Sequence, residues 1–470
     1  MVFSSIPFIH GFLPVFLVIY YLAPSHARNQ VILIASVLFY AAGAGALVGL
    51  LLISVVLNQY FATLITHSKG VSRRRLLLIG VALNLIGLIY YKYAGFLWEL
   101  FSHALYGAAG VSIGPPPAIA LPIGISFFTF QAISYLVDVY RQECPMEPSC
   151  RKFAVYHTLF PQLIAGPIVR YREIREQLEQ RSLSLASASE GAYRFSVGFG
   201  KKVILADNLG AVADQIINLP HAELTCAHAW LGIVCYTLQI YYDFSGYSDM
   251  AIGLGRLLGL SFPENFDQPY RAANITEFWR RWHMTLTRWF RDYLYIPMGG
   301  NRRGPVRTYF NLMVVFSLCG LWHGAGLSFL TWGLYHGILL VAERIANHRF
   351  GWRPKGPVGV TTTIVLVMVG WVFFRIEQFD AAIAYIKTMF WVRSDGNLYF
   401  PIEHFIPGDV AFYLAAGITL ALIPTDRIRS LRFDRTPVLV VQLGAAFSLF
   451  VWASLQLAAN SFHPFIYFRF

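Results

Sequence analysis

The sequence predicts an all-α polytopic membrane protein, one helical body over residues 1–470, and three observations carry that prediction. Hydrophobic residues make up 56% of the chain and charged residues only 13%, against about 25% charged in soluble domains. Apolar runs close to the ~20 residues that span a bilayer recur along the whole length. The basic residues behind the formal net charge of +12 sit in short loops between those runs, as cytoplasmic loops do under the positive-inside rule. That placement accounts for the charge without nucleic acid. It also provides an attraction for anionic lipid headgroups or an anionic substrate.

The apolar runs fall at 6–23, 30–44, 46–66, 75–96, 118–139, 191–219, 228–242, 306–320, 325–346, 358–375, 379–392, 408–424 and 437–459. Several are short, so about eleven true spans are expected, with the shorter pieces re-entrant or interfacial. The first run has no basic residue before it, unlike a secretory signal, and reads as a retained span despite the Ser25-His26-Ala27 that follows. Loop charge orients the rest. Lys69 and Arg73 to Arg75 belong in the cytoplasm; counting back puts the turn at Gly43 to Gly45 and the N-terminus outside. Counting forward puts Pro115-Pro116-Pro117 outside and Arg141 to Lys152 inside.

Between the spans lie three irregular regions. Phe160 to Pro167 is apolar, too short to span, and bracketed by proline; a re-entrant hairpin and an interfacial loop both fit, since each proline removes a backbone donor. Lys201-Lys202 opens a run that carries Asp207 and Asn208, polar enough to face the protein interior. The stretch 261–308 is the least membrane-like of the second half. Asn274 with Glu277 three positions on predicts a capped helix start, continuing to about Tyr293. Trp279, His283, Leu286 and Phe290 would share its apolar face, with Arg281, Arg288 and Asp292 on another.

Chemistry points first to Trp322-His323-Gly324-Ala325-Gly326, an ionisable side chain and a glycine-loosened backbone between two apolar runs. Ionisable groups at membrane depth are costly and mark functional sites, and the glycines would let a substrate approach the backbone. His283 is the second candidate, against the plainer reading of a hydrogen-bonded core histidine. His336, thirteen positions after His323, reads as structural. Two histidines at that spacing on one helix would also suit stacked haems, but Gly324 and Gly326 oppose a continuous helix there and no second helix offers a matching pair.

Tyr241 to Asp249 interrupts an apolar run with two carboxylates, hydroxyls and a glycine. Asp243 and Asp249 would orient a histidine, bind a cation, or cap a helix beginning near Ser248. The five cysteines lack metal spacing, and Cys144 and Cys150 fall in a loop placed in the cytoplasm, where disulfides are disfavoured. No Gx(4)GK(S/T), GxSxG or HExxH is present, which removes the usual nucleotide and hydrolase readings.

Several motifs then occur together and in order: Pro122 to Phe127, Phe160 to Pro167, Tyr242 to Gly253, Pro263-Glu264-Asn265-Phe266, Glu277 to His283, Arg291 to Pro297 with Gly299 to Arg302, Leu321-Trp322-His323-Gly324, and Phe465-Ile466-Tyr467-Phe468. They resemble the membrane-bound O-acyltransferases, most closely the bacterial alginate O-acetyltransferase branch, over nearly the whole chain. The resemblance implies a fold of about eleven transmembrane helices, with re-entrant and interfacial helices around a central tunnel. It also implies that His323 is the catalytic histidine and His283 a second one. The related teichoic-acid D-alanyl transferase subunit shares both histidine motifs but draws on a carrier protein.

The activity so implied is O-acetyl transfer at the bacterial inner membrane. Acetyl-CoA would be the cytoplasmic donor, with no metal or haem. The acetyl group would cross for O-acetylation of alginate or a similar exopolysaccharide, completed by a periplasmic partner of the SGNH-hydrolase-like type. Basic cytoplasmic residues would hold the donor's phosphates, a neutral His323 would take a hydroxyl proton, and His283 would position a substrate or share the proton. Direct transfer and a covalent relay are both open. The alternative of another class is a polytopic transporter or export component of a polysaccharide secretion system, using the same polar residues as a pathway.

Overall fold

The computed structural model describes residues 3–220, 223–391, 400–424, 436–459 and 465–466. Among them the regular structure is helical and no strand occurs. Among the described residues four helical stretches are long and apolar enough to cross a membrane: Ser25–His67, Gly70–Ala109, Gly356–Arg375 and Leu439–Ala459. Pro7–Leu22 and Gly408–Leu422 are apolar but shorter. The run expected at 379–392 folds as the 12-residue helix Phe379–Phe390, about 18 Å at 1.5 Å per residue, short of a ~30 Å hydrocarbon core. Gly70–Ala109 instead continues past its expected end to 40 residues, about 60 Å.

The chain forms two compact units, Met1–Ser184 with Gly255–Pro263 and Leu185–Leu254 with Glu264–Phe470. In the first, polar side chains on apolar helices are answered by one another. Asn58 and Asn84 exchange two amide hydrogen bonds of 3.1 and 2.8 Å, tying Val48–His67 to Gly70–Ala109. Ser54 Oγ lies 3.0 Å from His157 Nε2. Arg73 donates to the carbonyls of Val139 and Tyr140 at 3.1 and 2.7 Å, satisfying end carbonyls of Ile125–Arg141. Arg73 thus reaches the helix end just before the basic stretch that begins at Arg141.

The irregular Phe160 to Pro167 segment contains a single helical turn, Phe160–Leu163, and all four of its residues are buried. A Cβ at Gly124 would stand 2.6 Å from the Leu163 carbonyl oxygen, so the motifs at 122–127 and 160–167 touch backbone to backbone. Backbone of this kind is tolerated at membrane depth only when protein covers it. All five cysteines are free.

In the second unit, Leu185–Gly200, the π-helical Lys201–Ala206 and Asp207–Ile217 run on without a break. The π-turn swings Lys202 into the interior, where its side chain is 2% exposed and its Nζ lies 2.6 Å from both Asp207 and Asp243. Asp243 also accepts the Ile466 backbone N–H at 2.8 Å, and the Lys202 ammonium stands 4.7 Å from the Phe465 ring centre. Tyr467 and Phe468, which complete that motif, lie outside the described residues.

Cys226–Leu257 passes through Tyr241 to Asp249 as one helix, so no helix begins at Ser248. Gly246 is a crossing point: a Cβ there would sit 2.7 Å from the Gly198 carbonyl oxygen. Asp249 is held by Arg194 and Lys201 at 2.7 and 2.6 Å. Among the described residues neither Asp243 nor Asp249 contacts a histidine; each carboxylate balances a cation from the adjoining helix.

Candidate active site

The helix start predicted at Asn274 is present, with Asn274 Oδ1 accepting the Glu277 N–H at 2.8 Å. The helix does not run on to Tyr293. Ile275–Arg281 stops, Trp282 is extended, and Met284–Phe290 begins afresh. His283 occupies the break in the left-handed region at φ 42°. A non-glycine residue there costs on the order of 1–3 kcal/mol and persists only where its surroundings fix it. The shared apolar face expected for Trp279, His283, Leu286 and Phe290 is thereby broken.

Asn265 supplies the fixing contacts. It is fully buried, and its backbone oxygen accepts the Met284 N–H at 2.9 Å. Its side-chain oxygen receives the Thr285 N–H at 3.2 Å, the Thr285 hydroxyl at 2.8 Å and His283 Nδ1 at 3.0 Å. Asn265 falls within the Pro263-Glu264-Asn265-Phe266 motif, which by itself points to no site role for it. The αL break carries no glycine or proline signal, so nothing in the sequence announced what the asparagine holds. Burial pushes the His283 imidazole down to about 3, so the ring is neutral at physiological pH.

His323 is reached differently. It ends the helix Gly304–His323, and Gly324 to Gly326 turn the chain into Leu327–Phe350. The two helices touch at Gly320 and Gly333, where a Cβ would lie 2.3 and 2.2 Å from a backbone oxygen of the other helix. Gly324 is not open to a substrate as expected: a Cβ there would strike the Phe329 ring at 2.1 Å. The glycine makes room for that phenyl ring, which packs under the turn.

The His323 ring, 3% exposed, packs edge-on to Trp332 and Phe374 with centroids 5.1 Å away in each case. Trp322 lies 4.8 Å from the His323 ring and 6.1 Å from the His283 ring. The two histidines, forty positions apart in sequence, thus share one indole. His336 lies beyond, 5.2 Å from Trp332 and 5.1 Å from Trp279, with both ring nitrogens buried and without a hydrogen-bond partner among the described residues. It belongs to the helix after His323, so the thirteen-residue spacing does not put a histidine pair on one helix.

Asn265 also forms part of the wall of a cavity of about 170 Å³, shared with Arg194, Lys201, Ser248, Asp249 and Glu264. Arg194 is bidentate to Glu264 at 2.9 and 2.6 Å and pairs with Asp249. Two cations and two anions therefore cancel. A cavity of this size is below the ~300 Å³ at which small-molecule pockets begin; it suits the end of a substrate rather than a whole one.

Residues 137–351 match the model of the membrane-bound O-acyltransferase family, a stretch that holds both histidines. The probable alginate O-acetylase of Pseudomonas putida is 41% identical over the full length of both chains. The chain belongs to the membrane-bound O-acyltransferase family. Other relatives of this acyltransferase include the peptidoglycan O-acetyltransferase of Helicobacter pylori, 35% identical over 83% of this chain and 80% of that one. The teichoic acid D-alanyltransferase of Bacillus subtilis is 27% identical over 54% of this chain and 67% of its own. An all-α membrane O-acyltransferase of the alginate O-acetylase type is what sequence motifs, helices and relatives agree upon.

Proposed function

We propose that this acyltransferase takes acetyl from cytoplasmic acetyl-CoA and passes it across the bacterial inner membrane for O-acetylation of an exopolysaccharide, alginate or a similar polymer. A periplasmic partner of the SGNH-hydrolase-like type completes delivery to the sugar. The observation that carries the reading is the convergence of His323 and His283 on Trp322, two buried imidazoles from separate helices in the stretch that matches the family. A packed aromatic surround excludes water, which keeps a thioester from hydrolysis.

In this reading His323 is the general base. Its neutral nitrogen takes the proton of the acceptor hydroxyl as that oxygen bonds to the thioester carbonyl carbon. The carbon–sulfur bond then breaks, the coenzyme thiolate leaves, and the proton passes from the imidazolium to sulfur. His283, held neutral by burial, positions the reacting carbonyl or shares the proton. The nearby 170 Å³ cavity has room for an acetyl thioester end, with the charged remainder of the donor outside it.

The test is acetyl-CoA turnover by the purified protein in detergent, native against His323→Ala, with folding checked by thermal unfolding. Turnover that falls at least ~10³-fold in a folded variant supports the assignment. Turnover unchanged in His323→Ala overturns it and transfers the base to His283.

A further inference from the structure

The hydrogen bonds at the helix break decide something that heavy-atom positions alone do not, namely which nitrogen of His283 carries the proton. An asparagine side chain presents an oxygen at one end and an amino group at the other, and the two are told apart by their partners. Here one partner is a backbone N–H, that of Thr285, which only donates. The group facing it must be the Asn265 oxygen. The amino group is then directed at Ser248 Oγ, 3.1 Å away, which accepts.

His283 Nδ1 lies 3.0 Å from that same oxygen. The oxygen of a neutral amide has no hydrogen to give, so Nδ1 must be the donor. A neutral imidazole with its hydrogen on Nδ1 carries its lone pair on Nε2. Free imidazole side chains favour the opposite form.

We propose that Asn265 is a positioning residue for acyl transfer: it locks His283 in the Nδ1–H form, leaving Nε2 as the basic nitrogen. The inference rests on the reading above that His283 takes part in the reaction. Two features support a role beyond filling space. Asn265 spends three acceptor contacts and a backbone carbonyl on residues 283–285 alone, and it is also part of the cavity wall. A carboxylate that holds an imidazole tautomer in a serine protease triad is worth about 10⁴ in kcat when replaced by a group that reverses it. An amide doing the same work in a neutral site is expected to matter by ~10²-fold.

The experiment is ¹⁵N NMR of the full-length protein labelled at histidine, with the His283 signal assigned by its loss in His283→Gln. The native protein is expected to show His283 protonated on Nδ1. Asn265→Leu, which removes the acceptor at similar volume, should move the proton to Nε2 and lower kcat ~10²-fold while KM for acetyl-CoA stays within about threefold. Asn265→Asp keeps an acceptor and should restore both the Nδ1–H signal and most of kcat, a rescue that a purely structural asparagine does not predict. An Nε2–H signal in the native protein overturns the proposal without any variant, as does Asn265→Leu at native kcat. Native turnover in His283→Gln would instead overturn the role of His283 itself, leaving the tautomer assignment to stand or fall on the spectrum.

Discussion

His283 and His323 share a tryptophan, yet the backbone presents the two imidazoles in different ways. His283 sits in a helix break, with left-handed backbone, and a hydrogen-bonded asparagine fixes its ring. His323 closes an ordinary helix and is boxed by Trp322, Trp332 and Phe374. A hydrogen bond specifies a protonation state as well as a position. The ring contacts of His323 fix where its imidazole lies.

The sharpest way to break that comparison is to remove each ring in turn. His323→Ala is expected to cost at least ~10³-fold in acetyl-CoA turnover and His283→Ala on the order of 10²-fold, both measured on folded protein at saturating donor. Equal losses would mean that the two seats serve one inseparable function. Next in size is Trp322→Leu, which withdraws the shared wall. About 2–4 kcal/mol of stability should go with the indole, and turnover should drop although neither histidine is touched, as read by paired thermal-unfolding and activity assays.

A third expectation concerns pH. Burial pushes His283 and also His157 down to about 3, whereas in the unfolded chain both titrate near 6.5. The unfolded state therefore binds more protons between those values. The stability that each neutral ring represents is complete above pH 6.5 and is lost as pH falls, by about 1.4 kcal/mol per pH unit per histidine. Unfolding midpoints at pH 7 and pH 5 should differ less in His283→Gln than in the native protein. The smallest effect is expected at His336, whose nitrogens are buried without hydrogen-bond partners among the described residues. His336→Phe should leave turnover within about threefold and stability equal or raised, because an unsatisfied polar ring is exchanged for an apolar one. A large loss would make it a third member of the site.

Much of this was legible in the sequence, because the membrane imposes strong local rules. Asn274 and Glu277 announced their helix start through chemistry contained within four residues. The polarity of Asp207 announced an interior position, and His323 stood out as an ionisable group in apolar surroundings. What was not legible depends on residues far apart. Nothing around His283 separates a continuous amphipathic helix from a broken one, since the contacts that hold the break come from Asn265. Tyr241 to Asp249 looked like an interruption because its neutralising cations lie near residue 200, and its glycine marks a helix crossing rather than an end. Gly324 misled in the same manner, its open space being filled by Phe329 five residues later.

The bond from the Ile466 N–H to Asp243 also has a meaning in time. It joins residues separated by 223 positions, which a ribosome working at 5–20 residues per second needs roughly 10–45 s to cover. Through that interval Asp243 and Lys202 have already been made, but the backbone donor and the Phe465 ring that complete their surroundings have not. The charged heart of this unit must therefore wait, half-built, for a late arrival. A nascent chain that stalls before residue 465 would hold an incompletely covered ion pair, a defect by which unfinished molecules can be told from finished ones.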